Sequence, residues 1–185
     1  MLLWLDLETT GLDPLTDHIL EIAWTWTREE DLTRLTSIRT HVVTPSVEAF
    51  DIMKADQFIQ DMHGKSGLLD DLYKPGTLMR HDVEDLILQD IANHMDKDTQ
   101  IKLAGFSVHF DHEFIANWLP RLNHRLHHRH YDVSTLKQFF EPLGIAHDVV
   151  NLKPHRARFD VEESLSVAQA YRGQVLNYFP TEESA

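Results

Sequence analysis

Asp6 and Glu8 are the first residues of this chain that could do chemistry together. On a strand, residues two apart project from the same face, so Asp6-Leu7-Glu8 aims two carboxylates to one side. Leu5 and Leu7 then face the opposite, buried side. Carboxylates held side by side repel unless a cation lies between them, and hard oxygen ligands suit Mg²⁺ or Mn²⁺. A D-x-E triplet alone reads as readily as a solvated pair. Its setting argues for more: Asp6 interrupts an apolar segment, where an unpaired carboxylate is expensive, and Gly11 soon follows, permitting a tight turn or close backbone approach.

Two more acids and a histidine stand in informative places. Asp111 closes Gly105-Phe106-Ser107-Val108-His109-Phe110-Asp111, where a strand hands over to a helix; an acid there can also simply complement the helix dipole. Asp160 lies on or beside the apolar stripe of the last helix, which a solvated acid should avoid, so something inside the fold needs its charge. His155 precedes it by five residues, at or just before the helix start. Five helical residues turn through roughly 140°, so the two need not share a face, but a loop placement lets His155 reach the same cleft. As one of 13 histidines it could equally be an ordinary exposed one.

The elements that must hold these groups follow from periodicity. Strands are predicted over 2–8, 19–27 and 35–43, with Leu20, Ile22, Trp24 and Trp26 on one face of the second and Ile19 and Ala23 as apolar exceptions on the other. Trp24 and Trp26 read as packing residues rather than a stacking platform. In 80–95, Val83, Leu86, Ile87, Ile91 and Met95 recur at helical spacing. A short buried strand over 101–106 leads to a helix from about Asp111 to Trp118, ended or broken by Pro120. Further helices are expected over 134–141 and 155–172, the latter with Ala157, Val161, Ser164, Ala168 and Tyr171 on one stripe. The order βββ-α-β-α-(β)-α makes one α/β domain over 1–176, a mixed sheet flanked by helices, with 177–185 a polar tail.

Composition narrows the function classes. A length of 185 residues suits one domain. The absence of cysteine excludes disulfides, thiolate zinc sites and cysteine nucleophiles, and suits a reducing compartment. No apolar stretch approaches the roughly 20 residues of a membrane span. The start lacks a basic region and meets acid at once, so a signal peptide is not expected and a cytoplasmic address is. The formal charge is −13, from 30 acidic against 17 basic residues. Proteins that coat long nucleic acid normally carry a basic face. Either nucleic acid is not the partner, or it is short and held by a few contacts and metal ions. The run HRLHHRH (124–130) has no paired zinc-ligand spacing and reads as a basic surface patch, while Glu162 and Glu163 read as solvated.

Taken together, Asp6, Glu8, Asp111, His155 and Asp160 resemble the DEDDh 3′→5′ exonuclease superfamily, with D-x-E followed by T-G and a late H-x-A-x-x-D. The segments WLDLETTGLDP, HGKSGLL (63–69), SVHFD (107–111), DVSTLK (132–137) and HRARFDVEESL (155–165) resemble one branch, the oligoribonucleases, and span residues 4 to 165. The resemblance implies an RNase H-like fold, a homodimer and two divalent ions, Mg²⁺ or Mn²⁺. It further implies that RNAs of two to a few nucleotides are cut to nucleoside 5′-monophosphates. By the same resemblance Asp6, Glu8 and Asp160 hold one ion, Asp6 and Asp111 position the second, and His155 is the general base, for which an ordinary imidazole pKa of about 6.5 is suitable.

For substrate it implies Leu12 as a wedge between bases, Phe58 as a stacking ring, and His63 and Ser66 as further contacts. Ser107, Arg129, Ser134 and Thr135 would cap the terminal phosphate, and His128 would reach across the dimer. Two positions depart from the family: Phe58 stands where Trp is usual, a smaller stacking ring, and His128 where Tyr is usual. A proofreading-type exonuclease on longer DNA or RNA strands, or a catalytically silent nucleic-acid-binding module, are the rival readings. Activity on long strands would favour the first, and absence of metal-stimulated hydrolysis the second.

Overall fold

The opening apolar segment becomes the middle strand of a five-stranded sheet in a computed structural model that describes residues 1–96, 98–145, 149 and 155–178. The strands are β1 (Leu2–Thr9), β2 (Ile19–Thr27), β3 (Arg39–Val42), β4 (Lys102–Gly105) and β5 (Tyr131–Asp132). Their spatial order is β3-β2-β1-β4-β5, antiparallel from β3 to β1 and parallel from β1 to β5. This is the mixed α/β sheet that the sequence pattern predicts. The helices are α1 (Val47–Ala55), α2 (Gln57–Lys65), α3 (Leu68–Leu72), α4 (Arg80–His94), α5 (Val108–Trp118), α6 (Pro120–Asn123), α7 (Val133–Phe140) and α8 (Ala157–Tyr178). Pro120 ends nothing itself: α5 stops at Trp118 and the proline opens α6, where a missing N–H is harmless. Helix α8 runs two residues into the segment expected to be tail; 179–185 lie outside the described residues.

Strand alternation sorts the two faces of β1. Leu3, Leu5 and Leu7 pack with Trp24, Trp26, Ile87 of α4 and Phe114 of α5. Leu2 and Trp4 face the opposite layer, with Ala157, Val161, Leu165 and Ala168 of α8. Asp6 and Glu8 share the parity of Leu2 and Trp4 and therefore lie on the α8 side. Trp24 and Trp26 are fully buried packing residues.

Three differences from the periodicity have local causes. Glu8 pairs with Glu21 but Thr9 with Ile19, so Leu20 is an extra residue in β2. This bulge turns Leu20 into a separate cluster with Met53, Ile59, Leu68 and Leu72, and brings Ile19 onto the face of Ile22, Trp24 and Trp26. The strand expected over 35–43 is regular only from Arg39 to Val42. Ahead of it, the Thr36 hydroxyl accepts from the Trp26 N–H and the Thr36 carbonyl from the Thr25 hydroxyl, a side chain replacing part of the ladder. Residues 44–79 hold three short helices that the periodicity did not reveal. Ser46 caps α1 by accepting from Ala49 N at 3.2 Å, and Asp56 caps α2 by accepting from Phe58 N at 2.8 Å. Among the described residues no helix is long and apolar enough to cross a membrane.

Candidate metal centre and substrate cleft

The site opens where the sheet splits. Strand β4 pairs with β1 only at Leu2–Trp4, then leaves through Gly105 into α5. The second half of β1 thus loses its neighbour on that edge, and a backbone N–H there must find another acceptor. Asp111, in the first turn of α5, supplies it: its Oδ1 accepts from Leu7 N at 3.1 Å, between Asp6 and Glu8. Asp160 enters from the first turn of α8. One carboxylate oxygen from each of Asp6, Glu8 and Asp160 lies within 4.8 Å of the others. Burial pushes the Asp111 carboxyl well above the usual range, and the nearby Glu8 and Asp160 carboxylates push it further, while the Leu7 N–H pulls the other way. Three hard oxygen donors converging from β1 and α8, with a fourth carboxyl from α5 pushed toward protonation, fit a divalent cation by the chemistry of the donor set.

His155 stands exposed immediately before α8 and close enough to His63 to oppose its protonation. His63 itself is fully buried, with Nε2 2.9 Å from the Thr9 carbonyl and Nδ1 4.0 Å from Glu8 Oε2. Its pKa is held below the ordinary value, first by burial. The ring therefore supports the strand end that carries Glu8. The Ser66 hydroxyl is turned back to the His63 carbonyl at 3.2 Å. Neither His63 nor Ser66 lines the cleft that holds Leu12 and Phe58.

A cleft of about 510 Å³ borders Glu8 and contains Thr9, Gly11, Leu12, Phe58 and Phe110 in its lining. Leu12 is 81% exposed and Phe58 70%, unusual for large apolar side chains unless something else is to cover them. Asp17 shapes the loop beneath Leu12: it accepts from the Thr10 hydroxyl at 2.8 Å and from Asp13 N at 2.9 Å. A Cβ on Gly11 would lie 2.4 Å from Asp17 Oδ2, so only glycine leaves that carboxylate in place.

A second polar group forms between α5 and α7. Ser107 adopts a left-handed conformation at φ 49°, a strained backbone for a residue with a side chain. The Ser134 hydroxyl accepts from Ser107 N at 3.0 Å and lies 3.2 Å from the Ser107 hydroxyl. Asp132 ties the same corner together by accepting from Val108 N and Thr135 N, at 3.1 and 3.0 Å. Ser107, Ser134 and Thr135 are thereby gathered in one place. Arg129 and His128 are exposed on the segment leading into β5, and His128 stacks on His127 at 4.1 Å between ring centroids. None of these five lines the Leu12–Phe58 cleft.

Two residues that the sequence reading passed over belong to the site's framework. Glu21 is fully buried in β2 and binds Arg156, the residue between His155 and Ala157. Its signal was available, since a glutamate inside ILEIAWTWT is as anomalous as Asp6 inside β1.

A mixed sheet with converging carboxylates from β1, α5 and α8 has the architecture of a metal-dependent nuclease. The profile of the exonuclease family (RNase_T) matches residues 3–168. Among solved structures, a moderately thermophilic exonuclease I from Methylocaldum szegediense superposes with a TM-score of 0.67 at 19% identity, covering 94% of this chain and 40% of that one. The zinc-bound E. coli ExoI–ssDNA complex gives a TM-score of 0.67 at 15% identity, with coverage of 96% and 42%. At such identities the likeness establishes the fold, and this chain spans well under half the length of those enzymes. Curated relatives match nearly end to end. The oligoribonuclease of Chromobacterium violaceum is 34% identical over 177 residues, 95% of each chain. That of Corynebacterium diphtheriae is 35% identical over 187 residues, 100% of this chain and 87% of its own. The chain belongs to the exonuclease family, in its oligoribonuclease branch.

Proposed function

We propose that this protein is a divalent-metal-dependent 3′→5′ exoribonuclease that cuts RNAs of two to a few nucleotides into nucleoside 5′-monophosphates. The observation that carries the reading is the meeting of Asp6, Glu8 and Asp160 within 4.8 Å, beside a cleft that presents Leu12 and Phe58 to solvent. Asp6, Glu8 and Asp160 would hold one ion, and Asp6 with Asp111 would position a second. Mg²⁺ or Mn²⁺ bound there would offset phosphate charge and stabilise both the attacking and the leaving oxygen of an in-line displacement.

The chain's own groups do the rest. His155 accepts a proton from the attacking water as its oxygen bonds to phosphorus. The bond from phosphorus to the 3′ oxygen of the preceding nucleotide breaks, and that oxygen takes up a proton from solvent. Phe58 stacks on a base and Leu12 wedges between two, which orients the scissile phosphate. The Ser107–Ser134–Thr135 corner, with Arg129, receives the phosphate at the other end and limits length. A net charge of −13 agrees with a short ligand, because few phosphates then need neutralising. In this reading the protein works as a homodimer in the cytoplasm, His128 contacting substrate held by the partner subunit. The support for the dimer is the family resemblance, and sedimentation velocity tests it.

The activity is tested with purified protein and Mn²⁺ on labelled RNAs of two, five and twenty nucleotides, each with an EDTA control. Fast, EDTA-sensitive cleavage of the two-mer and slow attack on the twenty-mer are expected. Equal or faster attack on the twenty-mer would overturn the length assignment in favour of a general or proofreading-type exonuclease.

A further inference from the structure

Glu21 lies directly across the strand pair from Glu8 and is fully buried. Like charges opposite one another on a sheet destabilise it, so each carboxylate needs its own cation. Arg156 serves Glu21 with a two-pronged grip: Nη2 to Oε1 at 2.7 Å and Nε to both oxygens at 3.1 Å. Oε2 also accepts from Ala157 N at 3.0 Å, capping α8 from a neighbouring strand. The Arg156 carbonyl then accepts from Phe159 N and Asp160 N, at 2.9 and 3.3 Å, and so starts the helix. Outside this grip Arg156 meets Asp71 Oδ2 at 2.8 Å and the Ser66 carbonyl at 3.4 Å. A buried ion pair adds little net stability compared with apolar packing. Its placement is the informative feature, since it joins the strand position beside Glu8 to the residues flanking His155 and Asp160.

We propose that Glu21, acting through Arg156, is a positioning residue that sets the start of α8 and thereby the places of Asp160 and His155 relative to Asp6 and Glu8. This rests on the exonuclease reading of the site. A displacement of about 1 Å in such a constellation can lower turnover on the order of 100-fold without touching substrate contacts. Neither Glu21 nor Arg156 lines the cleft of Leu12 and Phe58, so loss of the pair should appear in kcat and in metal affinity while KM stays.

The test compares Arg156→Lys, Arg156→Met, Glu21→Gln and the control Asp71→Asn in the full chain. The readouts are kcat and KM on a dinucleotide, Mn²⁺ affinity by calorimetry, and thermal melting. Arg156→Lys keeps the charge but loses the fork; kcat should fall about tenfold, and on the order of 100-fold in Arg156→Met. Mn²⁺ affinity should weaken about tenfold, KM should stay within threefold, and Glu21→Gln should lie between the two arginine variants. Asp71→Asn keeps the grip on Glu21 and should stay within about twofold of the wild type. Unchanged kcat and Mn²⁺ affinity in the folded arginine variants, even with lowered melting, would overturn the proposal and leave only a structural pair. Should Arg156→Met or Glu21→Gln fail to fold, Arg156→Lys decides alone. A wild type that binds Mn²⁺ without hydrolysing RNA would sink the exonuclease reading, while the affinity comparison would still judge the positioning.

Discussion

Asparagine at position 160 keeps the shape of the side chain and removes one charge from the carboxylate cluster. At 4.8 Å two unit charges repel by about 1 kcal/mol in a medium like water and about 3.5 kcal/mol at an effective dielectric constant of ~20. Asp160 faces two such neighbours, Asp6 and Glu8, and also opposes ionisation of the buried Asp111. Protonation within the cluster relieves part of the repulsion, so Asp160→Asn should stabilise the metal-free protein by about 1–3 kcal/mol. For a chain of this size that raises the melting temperature by about 2–4 °C per kcal/mol. Activity should fall sharply, since a proposed metal ligand is lost. Melting curves in EDTA and across an Mn²⁺ titration, with dinucleotide hydrolysis alongside, provide the assay. The wild type should gain stability steeply with Mn²⁺ and the variant hardly at all. A variant no more stable than the wild type in EDTA, yet still stabilised by Mn²⁺ to the same extent, would refute the reasoning.

Other expectations follow from the same geometry. Phe58→Ala should leave stability within about 0.5 kcal/mol because the ring is largely exposed. Loss of a base stack worth about 1–3 kcal/mol should raise KM for a dinucleotide roughly 5- to 150-fold, and an unchanged KM would remove Phe58 from the substrate site. Gly11→Ala should push Asp17 off the Thr10 hydroxyl and the Asp13 N–H, at about 1–3 kcal/mol in a urea titration, and lower activity through Leu12. His63 is a base whose folded pKa lies below its ordinary value. Above a pH of about 6.5 it adds no pH dependence; below that the unfolded chain takes the proton first, and stability falls as pH drops toward the depressed pKa. Urea titrations at pH 7.5 and 5.5 should show a smaller acid loss in His63→Gln than in the wild type; equal losses would mean that His63 is not held neutral.

The parts of this protein legible in its sequence are those where a residue contradicts its surroundings. Asp6 in an apolar strand and Asp160 on an apolar helical stripe both announce a charge with a purpose, and the structure brings the two together, each half-buried at the edge of the core. Strands β1 and β2 were readable as apolar, aromatic-rich runs, buried on both faces, and the α4 and α8 stripes because burial on one helical face imposes a period of 3.6. Residues 44–79 were not, because α1, α2 and α3 are short and their order comes from caps and from packing beneath Leu20. The bulge at Leu20 was hidden for a related reason: an even alternation looks the same with or without an inserted residue until its partner strand is seen. Glu21 carried the same kind of signal as Asp6, but its partner Arg156 lies 135 residues away and only the fold joins them.

The central claim is that the acidic cluster removes nucleotides one at a time from the 3′ end of short RNA. The most direct measurement follows a five-nucleotide RNA labelled at the 5′ end in one sample and at the 3′ end in another, with Mn²⁺ and with EDTA. The 3′ label should leave at once as a mononucleotide, while the 5′ label steps through progressively shorter products, and EDTA should stop both. Early release of the 5′ label, internal cleavage, or hydrolysis that EDTA leaves untouched would contradict the claim.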